Sequence, residues 1–92
     1  MIKNFKHKGL ERFFTSGNFK GIPARSADRI ERLLDLLDAC VTPAGMNLPG
    51  FGFHELKGGR KGSYSLTVTA NFRITYCFKG EDATDVNLED YH

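Results

Sequence analysis

Three short segments carry the side chains that could do proton or phosphate chemistry. His54 and Lys57 lie together in HELK, Arg73 sits within NFRI, and the chain closes on Asp90, Tyr91 and His92. Each alone has an ordinary reading. A lone strand histidine is usually structural or solvated, a mid-strand arginine usually pairs with an acid (here Glu89 or Asp90), and a terminal histidine usually frays. Together they make two imidazoles, a carboxylate, a phenol, a guanidinium and an ammonium. That set suits scission of an RNA phosphodiester by the sugar's own 2′-hydroxyl. One group takes the hydroxyl proton and another protonates the leaving 5′-oxygen, while cations hold the charge that builds on the phosphorus oxygens. Histidine can serve either proton role near neutral pH.

Other chemistries rank lower. His54, His92 and Asp90 are credible metal ligands, but there is no HxH or HExxH pair and no acidic cluster beside the basic segment. No Ser/His/Asp or Cys/His motif supports a nucleophilic mechanism. The glycines of LKGGRKG flank Lys57, Arg60 and Lys61 without forming a P-loop. They read as a flexible, positively charged turn suited to an RNA backbone.

The elements that must position these groups follow from hydrophobic periodicity. IKNF can form a short strand, and Lys8–Thr15 a short helix bearing Leu10, Phe13 and Phe14, with Gly17 as its stop. Pro23 suits a first helical turn. After it Ala27, Ile30, Leu33, Leu34, Leu37 and Cys40 recur at helical spacing, and the run Thr42–Gly45 ends the helix. From Phe51 the period changes to two. FHEL, SYSLTVT, NFRITYCF and TDVNLEDYH read as strands joined by short links, hence an antiparallel meander. The expectation is one α+β domain over residues 1–92, two N-terminal helices packed on one face of a small, mainly antiparallel sheet. Alternation puts Phe72, Ile74 and Tyr76 toward the helices and Arg73 on the opposite, uncovered face.

Composition bounds the class. Ninety-two residues allow a single core, and 40% apolar with 26% charged residues is ordinary globular usage. The net charge of +2 conceals blocks of +5 over residues 1–25, −3 over 26–56, +5 over 57–79 and −5 over 80–92. Such blocks fit a polyanionic partner and fit internal pairing equally well. Cys40 and Cys77 have no disulfide or zinc spacing. No apolar leader or membrane-length run is present, so a soluble, cytoplasmic protein is expected, with no membrane association and no cofactor.

Taken as a whole, the chain resembles the HigB toxins, a branch of the RelE-type toxins of bacterial toxin–antitoxin systems. The likeness runs through MIKNFKHKGLERFF, GIPARSADRIERLLDLLDAC and HELKGGRKGSYSLTVTANFRITYCF to the ending EDYH. The resemblance implies the RelE-like toxin fold and metal-free cleavage of mRNA in the decoding site of the ribosome. It implies His54 and His92 as active-site histidines, Asp90 as the carboxylate, Tyr91 as its aromatic neighbour, Arg73 as the phosphate-stabilising arginine and Lys57 as the basic residue beside the first histidine. It also implies a HigA-like helix-turn-helix antitoxin, with the complex binding its own operator DNA through that antitoxin. The pattern departs in two places. Phe72 stands where relatives often carry Trp, a core change that should spare activity, and Glu55 places a carboxylate beside His54. The alternative reading from the residues is a non-catalytic RNA- or ribosome-binding module using the same basic face.

Overall fold

The computed structural model describes residues 1–90; Tyr91 and His92 lie outside the described residues. Helix α1 spans Lys8–Ser16 and helix α2 Ala27–Ala39. Both lie over one face of a sheet of four strands, β1 (His54–Glu55), β2 (Ser63–Thr67), β3 (Phe72–Lys79) and β4 (Asp82–Asp90), antiparallel in sequence order. The expected α+β architecture is therefore the observed one.

Helix α1 is short, and its ends are capped by side chain and backbone. The Leu10 N–H donates to Nδ1 of His7 at 3.0 Å, so a histidine serves as the N-cap acceptor. At the other end Gly17, at φ +78°, donates its N–H to the Phe13 carbonyl at 2.9 Å. Gly9 lies directly against the backbone of residue 21: a Cβ there would sit 2.6 Å from the Gly21 carbonyl oxygen. That contact lets the first turn of α1 pack on the 19–22 loop.

Capping by His7 carries a pH signature. Burial, then the nearby Arg12 charge, lowers its pKa below the ordinary 6.5. The unfolded chain therefore takes up the proton first, so stability is full above pH 6.5 and declines as the pH falls below it. His7→Asn supplies a cap that does not titrate. Thermal melts at pH 5 and 7.5 should show the wild type losing about 1 kcal/mol more than H7N on acidification.

In α2 the side chains of Ile30, Leu33, Leu34 and Leu37 are buried against the sheet, as the spacing requires. Two boundaries differ from the sequence reading. A 3₁₀ turn over Ala24–Ser26 separates Pro23 from the helix, and Cys40 has already left it with extended backbone. The sheet contributes Leu66, Ile74, Tyr76, Val86 and Leu88 to the same core. The Tyr76 hydroxyl donates to the Pro43 carbonyl at 3.1 Å, which satisfies its polar tip inside an apolar layer. Burial pushes its pKa upward.

Two features of β4 matter for the site. The N-terminal residues run parallel beside its free edge, with bridges Ile2 to Ala83 and Phe5 to Val86, and Lys3 and Lys6 donating to the Ala83 and Val86 carbonyls at 2.8 Å each. The opening IKNF segment is thus an edge ribbon that covers otherwise unpaired backbone. The second feature is a β-bulge. Cys77 pairs with Thr84 but Thr75 pairs with Asn87, and the extra residue falls at Asp85, whose φ is +52°. Asn4 holds it, exchanging side-chain bonds with the Asp85 N–H at 3.1 Å and its carboxylate at 3.0 Å.

Candidate active site

That one-residue insertion decides what faces Arg73. With the register of the Cys77–Thr84 pair continued, Leu88 would oppose Arg73; after the bulge its partner is Glu89, and Leu88 returns to the core opposite Ile74. One row across the sheet then reads Thr67, Arg73, Glu89, and the adjacent row His54, Ser65, Thr75, Asn87. Both rows lie on the face turned away from the helices. Strand spacing and rise put the Cα atoms of His54 and Arg73 on the order of 12 Å apart.

Glu89 gathers this face together. Its Oε1 accepts from Arg73 Nε at 3.2 Å, from Arg73 Nη2 at 3.0 Å and from Arg60 Nη1 at 3.0 Å. Its Oε2 accepts from Arg60 Nη2 and from the Thr75 hydroxyl, the latter at 2.9 Å. These bonds, those of Arg60 foremost, hold the Glu89 carboxyl down to about 2 against the opposing effect of partial burial. A depressed carboxylate stabilises the fold above the ordinary value of 4.5, and that contribution disappears as the pH falls toward 2. Arg60 is 46% exposed, so screening limits the contribution. In acid titrations Glu89→Gln should cost on the order of 2 kcal/mol at pH 7 and progressively less between pH 4 and 2.

The expected turn in LKGGRKG is a 3₁₀ turn over Gly58–Arg60, and Arg60 pairs with the acid on β4. The face is not bare at its centre, since Ser65 and Thr75 are almost wholly buried. A hollow of about 200 Å³ is lined by Glu55, Leu56, Lys57, Gly58 and Lys61. Glu55 does not turn to its neighbouring histidine: its carboxylate accepts from the Gly62 N–H at 3.3 Å and closes the turn.

His54 is exposed, and its Nδ1 lies 3.1 Å from the Gly52 carbonyl oxygen. A carbonyl can only accept, so the contact selects the tautomer with hydrogen on Nδ1 and leaves Nε2 as the outward acceptor. Gly52 itself has φ +60° and packs so closely on Thr67 that a Cβ would collide with the threonine hydroxyl. Arg29 braces this loop from α2, donating to the Thr67 carbonyl through Nε at 3.1 Å and Nη2 at 2.7 Å, and to the Gly50 carbonyl at 2.8 Å. Arg29 lies outside the apolar stripe of α2, and its long side chain reaches the strand end, a partner 38 residues away that spacing on the helix cannot reveal.

Of the sequence-derived candidates, His54 and Arg73 share a face, and Arg60 joins Arg73 through Glu89. Asp90 pairs with Phe72 at the end of β4, at a position that alternates with that of Glu89. The expected roles of Tyr91 and His92 fall outside the described residues. Arg73 finds its acid in Glu89, the first of the two partners anticipated for it.

The antiparallel meander backed by two helices, with a cationic strand face beside an exposed histidine, is the fold of a RelE-like toxin domain. The chain belongs to the HigB-like toxins: residues 3–92 match the model of that family, described as the RelE-like toxin HigB of type II toxin–antitoxin systems. Among curated proteins it is similar to Endoribonuclease HigB of Proteus vulgaris, 46% identical over 92 residues and covering 100% of both chains. It is also similar to Toxin HigB-1 of Vibrio cholerae serotype O1, 31% identical over 78 residues, 83% of this chain and 82% of that one. In fold it resembles the copper-bound L66S mutant toxin from Helicobacter pylori, with a TM-score of 0.57 and 21% identity, over 99% of this chain and 96% of the other. Membership of a type II system implies an antitoxin partner. No helix among the described residues is long and apolar enough to cross a membrane.

Proposed function

We propose that this toxin is an endoribonuclease that cuts mRNA in the decoding site of the ribosome by acid–base catalysis through the 2′-hydroxyl. The observation that carries the reading is the full-length likeness, at 46% identity, to a protein named Endoribonuclease HigB. The site chemistry supports it. A base, His92 or Asp90, takes the 2′-hydroxyl proton; O2′ bonds to phosphorus, and the bond to the 5′-oxygen breaks. His54 protonates that leaving oxygen or orients the base, leaving a 2′,3′-cyclic phosphate and a 5′-hydroxyl. Arg73 and Lys57 hold the phosphoryl oxygens, Lys61 reaches the neighbouring backbone, and Tyr91 stacks on a base. A HigA-like helix-turn-helix antitoxin is the proposed partner, and operator binding belongs to it in the complex. The proposed compartment is the cytoplasm, where its substrate is translated.

Induced expression with mapping of mRNA 5′ ends tests this reading. Wild type should arrest growth and generate in-frame cuts in translated messages, and His92→Ala should do neither. Growth arrest without new 5′ ends would instead favour a toxin that only binds the ribosome.

A further inference from the structure

We infer that Glu89 is the positioning residue of the site: it orients the Arg73 guanidinium and, through Arg60, latches the 58–60 turn onto the sheet. This inference rests on the reading of Arg73 as the phosphate-holding group.

Three observations carry it. First, both oxygens of Glu89 are engaged, by four guanidinium N–H donors and one hydroxyl from β3 and the turn. A carboxylate with that many donors has little capacity left to accept a substrate proton. Second, Arg73 donates through Nε and Nη2 together, and the two bonds converge on Oε1 and so direct that edge of the guanidinium at the carboxylate. The side chains of Arg73 and Glu89 are 20% and 19% exposed, so water competes weakly for these bonds. Third, Arg60 spends both terminal nitrogens on the same carboxylate. It therefore acts as a strut for the turn bearing Lys57 and Lys61. Thr75, almost wholly buried, fixes the hub from beneath. The β4 bulge sets this arrangement, because without it an apolar side chain would occupy the position of Glu89.

The alternative role for such an acid is a plug that phosphate displaces, and the two roles differ in sign. Single-turnover cleavage of mRNA on programmed ribosomes and ribosome affinity are measured for wild type, E89Q and R60Q, together with the arginine Nε–H signals in ¹H–¹⁵N spectra. A misdirected guanidinium should slow E89Q by about 10- to 100-fold while affinity changes by less than about threefold. R60Q, which leaves the Arg73–Glu89–Thr75 contacts in place, should lose less. The Arg73 Nε–H signal should be resolved in wild type and R60Q and averaged in E89Q. Unchanged or faster cleavage by E89Q, or an Arg73 signal indifferent to the substitution, overturns the inference. Where wild type itself fails to cut, the proposed function falls, and the spectra still decide whether Glu89 holds Arg73. Should E89Q not fold, E89D withdraws the carboxylate by one methylene and must reproduce both effects.

Discussion

Replacing His54 with alanine should slow single-turnover cleavage by about 10²- to 10⁴-fold, the range expected for loss of a proton-transferring group. His54 reaches this role through its surroundings. The loop before it turns on Gly52, is tied to the end of β2 by Arg29, and presents Nε2 outward by engaging Nδ1 with a carbonyl. Because the side chain is exposed and its Nδ1 bond is to a surface loop, H54A should melt within about 0.5 kcal/mol of wild type, as surface substitutions do. A variant that cuts normally would remove His54 from the reaction, whatever its position on the sheet.

Arg73→Ala should cost about 10²- to 10³-fold in the same assay, comparable to deleting a preorganised donor that faces developing charge. Arg73→Lys should recover only a minor part of that loss. An ammonium retains the charge but cannot grip Glu89 through two coplanar donors, so its direction toward a phosphate is not set. Stability should suffer less than rate, because Glu89 keeps its bonds to Arg60 and Thr75 when Arg73 is truncated. An R73A protein that binds ribosomes normally and fails to cut would separate phosphate stabilisation from recruitment. One that cuts at the wild-type rate would leave the cationic face without its proposed task.

Much of this architecture was legible in the residues because its determinants are local. The Ile30, Leu33, Leu34, Leu37 stripe announces α2, and strict alternation from Tyr64 to Phe78 announces β2 and β3 and sends Arg73 away from the helices. What stayed hidden depends on partners distant in sequence. Alternation carried backward from the chain end cannot reveal an extra residue at Asp85, since the feature that tolerates it is Asn4 across the sheet edge. Glu89 and Asp90 were therefore both open as partners of Arg73. Arg60 was read as a contact for an RNA backbone, and the acid that it holds lies 29 residues downstream. The cap that His7 gives α1 is local, but the sequence reading assigned that ring no role.

The ribbon of residues 2–5 beside β4 has a bearing on how the molecule is made. It joins residues 2–5 to residues 83–86, so contacts between segments far apart in sequence close this edge of the sheet. Loops that long are slow to close. A nascent chain lacking β4 has neither the acid that orients Arg73 nor the edge on which its own N-terminus lies. The Arg73–Glu89–Arg60 cluster therefore forms only once β4 has paired with β3.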